Sequence, residues 1–184
     1  MVLALVSAVW VASEIAVGVI TRRSGAGASR QDRGSLMFLW MLLGATIFAA
    51  AQLRFLRVGR MPQRDALFWA GLALIVIGIL IRATAIVTLR RFFTVSVTIQ
   101  ESHELIDRGI YKILRHPAYS GSLVSFIGLG FAFGNWLSLS LILIGSLIGF
   151  AYRIRVEETA LTNHFGDRYR SYAARTKRLI PGIY

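Results

Sequence analysis

The chain has 184 residues, with 21 Lys+Arg against 9 Asp+Glu for a formal net charge of +12, yet 55% of its residues are hydrophobic and only 16% are charged. An average soluble domain carries about 25% charged residues, so the positive excess sits in a chain too apolar for an ordinary soluble domain, and the long apolar blocks exclude disorder and low complexity. The absence of cysteine excludes a disulfide framework, a thiolate nucleophile, a Cys-ligated metal and prenylation or palmitoylation of the chain itself.

Residues 1–20 are apolar except for Ser7, Ser13 and Glu14, and at about 1.5 Å per residue such a run crosses a bilayer core of about 30 Å. No basic segment precedes it and Thr21-Arg22-Arg23 follows it, which predicts a retained span rather than a cleaved signal peptide. Residues 24–34, rich in Gly, Ser and Arg, read as a tether. Their Gly25-Ala26-Gly27 lacks the third glycine and preceding strand of a dinucleotide fingerprint. Residues 36–53, between Arg33 and Arg54, form the second predicted span, and 66–89, interrupted by Arg82, the third. The block 119–152 is too long for one span, and Gly134-Asn135-Trp136 is a turn signal. It therefore reads as a helical hairpin with spans over 118–133 and 136–152. Five spans result, all helical, because backbone polar groups in lipid must be satisfied within each segment.

Orientation follows from the basic residues. Arg22, Arg23, Arg30 and Arg33 follow span one. Arg54, Arg57, Arg60 and Arg64 follow span two. Arg90, Arg91, Arg108, Lys112 and Arg115 follow span three, and Arg153, Arg155, Arg168, Arg170, Arg175, Lys177 and Arg178 lie in the tail. A cytoplasmic tail puts sixteen of these inside and four outside, which predicts the N-terminus out and the C-terminus in the cytoplasm. The predicted fold is all-α: a single membrane-embedded domain over 1–184, a bundle of five transmembrane helices. Its polar stretches long enough for chemistry, 90–117 and 153–184, both face the cytosol.

Within the first stretch, Pro117 suits the first turn of a helix, so His116 stands at a helix entrance, where an imidazole and free backbone N–H groups can meet a ligand together. The competing reading is an interface belt with Arg115 snorkelling and Tyr111 and Tyr119 at headgroup level. In the second stretch Arg153 and Glu157 are four apart and share a face on a continuing helix. Arg before Glu is the weaker order for an intrahelical pair. The adjacent carboxylates Glu157 and Glu158 lie just beyond the bilayer and need positive charge. A cationic ligand would supply it, as would Arg155 or Arg168.

Gly-x-Tyr-x-x-x-Arg-His-Pro-x-Tyr-x-Gly over 109–121, a hydrophobic hairpin, then Arg-x-x-x-Glu-Glu-x-x-Leu-x-x-x-Phe-Gly-x-x-Tyr-x-x-Tyr over 153–172, closed by Leu179-Ile180-Pro181-Gly182, resembles the isoprenylcysteine carboxyl methyltransferase family of integral membrane enzymes. The resemblance covers 90–184, the implied catalytic half. It implies a methyltransferase that moves a methyl group from S-adenosylmethionine to the carboxylate of a lipophilic, isoprenylcysteine-like acceptor, leaving S-adenosylhomocysteine. The donor would bind in a cytosol-facing pocket built by the loop before span four and the tail. By position, its contacts would fall on Gln100, His103, Glu104, Leu105, Ile106, Tyr111, His116, Pro117, Ala118, Tyr119 and Glu157. Arg153 would hold the acceptor carboxylate, making Arg153 and Glu157 the catalytic pair.

These residue types suit that chemistry. A sulfonium and an α-ammonium favour the Glu157 carboxylate and the faces of Tyr111 and Tyr119. The donor's own carboxylate wants N–H groups of the kind His116 and a helix N-terminus offer. An acceptor carboxylate is already ionised at neutral pH and needs no general base. Glu14 and Arg82, the charges within spans, read as a pair, as cavity lining or as snorkelling side chains. The three histidines have no metal spacing, which predicts no metal, and basic residues scattered over every loop predict no nucleic-acid partner. The partners expected are membrane lipid and the lipophilic or lipidated acceptor. Competing readings are a lipid amine N-methyltransferase, a membrane reductase with a related C-terminal half, and a non-enzymatic membrane protein.

Overall fold

The computed structural model describes residues 29–30, 34–89, 98–99 and 105–182. Predicted span one and Glu14 lie outside the described residues.

The three central hydropathy blocks become α1 (Gly34–Leu53), α2 (Arg64–Leu89) and, across a hairpin, α3 (Pro117–Phe133) and α4 (Trp136–Phe165). A fifth helix, α5 (Asp167–Arg175), follows. α1, α2 and α4 are long and apolar enough to cross a membrane, while α3, with 17 residues, is shorter. α1 turns Met37, Trp40, Met41 and Phe48 outward, and α2 turns out Trp69, Leu80 and Val87. Apolar surface of that extent is stable only against lipid or protein.

α3 ends at Phe133 because Gly134 adopts φ +63°, a left-handed C-cap that glycine reaches without strain. Asn135 then caps α4, its Oδ1 accepting from the Leu137 and Ser138 amides at 2.8 and 3.3 Å. α4 does not stop at Tyr152, where its apolar run ends. It continues as a helix through Arg153, Glu157 and Glu158 to Phe165, because these residues are good helix formers and the α3 entrance and the tail give them something to pack on.

α1 packs on α4, α4 on α3, and α3 on α2. The closest approach is between α2 and α3, where Gly71 faces Gly128 and Gly78 faces Gly121. A Cβ at Gly71 would stand 2.5 Å from the Gly128 carbonyl oxygen, and one at Gly121 would stand 2.6 Å from that of Gly78. Small residues at such spacing let two backbones meet in lipid, where packing rather than water exclusion drives association. α1 and α4 run antiparallel: Ser138 Oγ donates to the Ala50 carbonyl at 2.7 Å, Gly145 faces Thr46, Gly149 faces Leu39, and Arg153 reaches Ser35. Leu39, Leu43, Leu72, Ile75, Phe126, Ile142 and Phe150 form the core between these helices.

Three backbone pairings sort the loops by end. β1 (Ser29–Arg30) pairs antiparallel with β2 (Thr98–Ile99), and Leu114 bridges Lys177. At the opposite end Arg60 bridges Asn135. Segments after predicted spans one, three and five thus share one end, and those after spans two and four share the other.

Candidate active site

The first of those ends gathers the polar motifs. A 3₁₀ turn (Gly109–Lys112) buries Tyr111 against Ala85 and Ala118. Pro117 then opens α3 with His116 as its N-cap residue. Gly166, at φ +55°, breaks α4 and turns the chain into α5. α5 buries Tyr169 and Tyr172, three apart on one face, and the Tyr172 hydroxyl donates to the Tyr111 carbonyl at 2.9 Å. Past α5 the tail lies along the α3 entrance: the Arg115 and His116 amides donate to the Lys177 and Arg178 carbonyls at 2.7 and 3.1 Å. Ser120 Oγ donates to the Leu179 carbonyl at 2.6 Å, and Leu179 enters the core.

Glu158 is the hub of this arrangement. Its Oε1 accepts from Arg115 Nε at 2.9 Å and lies 3.3 Å from His116 Nε2, while its Oε2 accepts from Arg178 Nε and Nη2 at 3.0 and 2.8 Å. Arg115 Nη1 also donates to the Ala173 and Thr176 carbonyls. Glu158 lies past the apolar run of α4. Burial pushes its carboxyl up, but the hydrogen bonds from His116 and Arg178 and the charge of Arg115 outweigh it and bring the group down to about 2. The charge that answers Glu158 thus comes from Arg115 and Arg178, and Arg155 and Arg168 are exposed instead. Arg115 is no snorkelling residue, since its guanidinium is the rivet between α3, α4 and the tail.

Glu157 sits beside the hub with a third of its side chain exposed. Its Oε2 accepts from the Tyr119 hydroxyl at 3.1 Å and lies 3.9 Å from His116 Nδ1. Tyr119 also interacts with Arg153, so the phenol links the two α4 residues that share a face. Arg153 is 1% exposed and its Nη1 donates to Ser35 Oγ on α1. The ring of Tyr119 is flanked by His116 at 5.8 Å and Phe150 at 5.1 Å. The Tyr111 phenol is raised by burial and then by the nearby Glu157 charge, and stays neutral. Arg82 Nη1 donates to the Ala118 carbonyl and to Ser122 Oγ, both at 3.3 Å, so it braces the first turn of α3.

Tyr111, His116, Pro117, Ala118, Tyr119, Arg153 and Glu157 are therefore brought to one end of the bundle. Leu105 and Ile106 are half-buried just before the 3₁₀ turn. Gln100, His103 and Glu104 lie outside the described residues. Sequence reasoning missed Glu158 as hub and Ser35 as partner of Arg153. Glu158 was visible only as the second of two carboxylates, and nothing in the spacing of Ser35, 118 residues before Arg153, signals the contact. Among the described residues, no group of His, Asp or Glu is placed to hold a metal ion.

The family model described as phospholipid methyltransferase matches residues 66–168. Protein-S-isoprenylcysteine O-methyltransferase B of Arabidopsis thaliana is 37% identical over 115 residues, covering 61% of this chain and 58% of that protein. The protein-S-isoprenylcysteine O-methyltransferase of Dictyostelium discoideum is 32% identical over 121 residues, covering 65% of this chain and 51% of that protein. The solved structure of the eukaryotic intramembrane Ras methyltransferase, isoprenylcysteine carboxyl methyltransferase, superposes with a TM-score of 0.64 at 27% identity, covering 78% of this chain and 52% of that one. The chain thus spans between half and three fifths of the length of these relatives. Its three long apolar helices and the intramembrane neighbour identify an integral membrane protein.

Proposed function

The chain belongs to the phospholipid methyltransferase family, and from that membership we propose that it transfers a methyl group from S-adenosylmethionine to the carboxylate of a lipophilic, isoprenylcysteine-like acceptor. The named relatives support the reaction class. The observation that carries the reading is the Tyr119 hydroxyl, which links a buried guanidinium, Arg153, to a part-exposed carboxylate, Glu157, on one face of α4.

Glu157 and the rings of Tyr111 and Tyr119 suit a sulfonium ligand, since a carboxylate and aromatic faces both attract a cation. Leu105, Ile106, His116, Pro117 and Ala118 complete the described part of the donor site, and Gln100, His103 and Glu104 belong to the same assignment. Bound there, the donor supplies an electrophilic methyl group. Arg153 grips the acceptor carboxylate and aims one oxygen, a task that a guanidinium performs by bidentate contact. No residue has to remove a proton, because the acceptor is ionised at neutral pH. The work of these side chains is orientation, worth up to about 7 to 11 kcal/mol in favourable cases.

The donor enters from the cytosol, at the end that carries the 3₁₀ turn and the tail, and the acceptor enters laterally from the bilayer. Five spans, with residues 1–20 as the first, the N-terminus out and the tail inside, suit the division of loops between the two ends. The catalytic half is 90–184 within a single unit. The chain has no cysteine, so single introduced cysteines at Val58 and Lys177 report sidedness directly with an impermeant reagent.

A phospholipid amine acceptor is the second reading, favoured by the description of the family model. Membranes incubated with donor carrying a labelled methyl group decide between them. A carboxyl methyl ester releases volatile methanol in base, whereas an N-methyl group stays on the lipid. Calorimetric titration of the folded, detergent-solubilised protein with S-adenosylhomocysteine tests the shared premise, and absence of binding overturns both.

A further inference from the structure

His116 is 4% exposed and held between two carboxylates of different standing. Both oxygens of Glu158 are committed: Oε1 to Arg115 and His116, Oε2 to two nitrogens of Arg178. An ionised carboxylate only accepts hydrogen bonds, so the proton between it and His116 resides on Nε2. In a neutral imidazole the other nitrogen is then a bare acceptor. That nitrogen, Nδ1, faces Glu157 Oε2 at 3.9 Å, beyond hydrogen-bonding distance. Glu157 accepts the Tyr119 proton, and its side chain is 32% exposed against 14% for Glu158. Two acceptors therefore face each other, one on a buried ring and one on a part-exposed carboxylate.

We infer that Glu158 is a positioning residue: it locks His116 as the Nε2–H tautomer, so that Nδ1 and Glu157 Oε2 form a paired acceptor for an ammonium group. This rests on the proposed methyl-donor site and names the end of the ligand that binds there, the α-ammonium of its amino-acid moiety. An ammonium carries three donors and no acceptor, and so satisfies both facing lone pairs at once. A carboxylate in the same place would add two more acceptors to the two already there. On this inference His116 faces the donor's ammonium rather than its carboxylate; Pro117 has no amide hydrogen and the Tyr119 and Ser120 amides donate to the His116 carbonyl, which leaves the Ala118 amide for that carboxylate. The charged groups around His116 come from every element packed on it: Glu157 and Glu158 from α4, Arg115 from the α3 entrance and Arg178 from the tail.

Two measurements on the full-length protein in detergent test this. Nitrogen NMR of histidine-labelled protein, with His116 assigned by loss of its signal in His116→Asn, reads the tautomer without any ligand. A protonated Nε2 with a bare Nδ1 at neutral pH is expected. A proton on Nδ1, alone or with Nε2, overturns the inference. Calorimetry then compares S-adenosylhomocysteine with an analogue whose α-ammonium is replaced by hydrogen. The protein should prefer the amine at least about tenfold, and Glu157→Gln should reduce that preference to about twofold by weakening the amine more than the analogue. Glu158→Gln should reduce the preference too, and should mix the two tautomers. A preference that survives Glu157→Gln overturns the paired acceptor. Failure of both ligands to bind folded protein instead overturns the methyl-donor reading, and the tautomer measurement still stands or falls alone.

Discussion

Arg153 Nη1 donates to Ser35 Oγ, joining residues 118 apart in sequence and fixing the guanidinium against the first turn of α1. Both residues are buried, and a hydrogen bond to a buried charged group contributes roughly 1.5–3 kcal/mol. Ser35→Ala removes that acceptor without adding bulk. If Arg153 orients the acceptor carboxylate, turnover should fall by roughly tenfold, since small misplacements of an orienting group are costly. Affinity for S-adenosylhomocysteine should stay within about twofold, because Ser35 reaches the site through Arg153, the residue assigned to the acceptor. Paired kinetics and calorimetry check this, and an equal loss in both would assign Ser35 to the fold alone.

Glu158 joins α4 to the α3 entrance and to the tail through three cationic or protonated partners. Breaking a buried ion pair from one side leaves uncompensated charge. Because Arg178 is 35% exposed, part of that penalty is screened by solvent, which leaves about 2 kcal/mol for Glu158→Ala. The expected result is a lower unfolding temperature and faster proteolysis at 175–182, with membrane insertion retained. Tail cleavage at the unmodified rate would show that the hydrogen bonds along 113–120 hold the tail without Glu158.

The same carboxyl dictates an acid response. Its folded value, about 2, is lower than its ordinary value of 4.5, so its contribution is fully present above the ordinary value and is lost as pH falls from about 4.5 towards 2. Thermal stability in detergent should drop over that window. Glu158→Gln should be less stable at neutral pH and flatter through the window. A variant whose acid profile parallels that of the unsubstituted protein would assign the loss to other carboxylates.

The hairpin turn was legible in sequence, because Gly134 and Asn135 each favour a turn whatever surrounds them. The length of α4 was not: hydropathy reports where lipid ends, and a helix ends only where a residue such as Gly166 breaks it. Arg153 and Glu157 could be placed on one face by spacing alone. The partners of Glu158 could not, since the tail offers seven cations beyond residue 152 and the choice among them depends on how α5 turns the chain. Asn135 was legible as a turn residue only. Its amide also donates to the Leu53 and Val58 carbonyls at 3.3 and 3.0 Å, latching the loop between α1 and α2 to the hairpin.

That latch is testable by itself. Asn135 is fully buried, and Asn135→Ala removes a helix cap, about 1 kcal/mol, and leaves the part-buried Leu53 and Val58 carbonyls without their donor, at up to about 1–3 kcal/mol more. Unfolding in detergent should reveal a loss of roughly 2–4 kcal/mol. The latch is at the end of the bundle away from Glu157, so affinity for S-adenosylhomocysteine per folded molecule should be unchanged. An affinity change comparable to the stability change would mean that the two ends are coupled.

Tyr169 supplies a prediction of opposite sign. Its ring fills the contact between α5 and the site and is 3% exposed, yet its hydroxyl is buried with no hydrogen-bond partner among the described residues. Its neighbour Tyr172, by contrast, donates to the Tyr111 carbonyl. Burial, followed by the charges of Glu158 and Glu157, raises the Tyr169 phenol, so it stays neutral and its oxygen remains desolvated. Tyr169→Phe keeps the ring and removes the desolvated group, whose burial costs about 1–3 kcal/mol. The variant should therefore unfold at the same or a higher temperature, whereas Tyr172→Phe should unfold at a lower one. A destabilised Tyr169→Phe protein would mean that the hydroxyl has a partner outside the described residues, and repeating the melt with S-adenosylhomocysteine would reveal whether that partner belongs to the donor site.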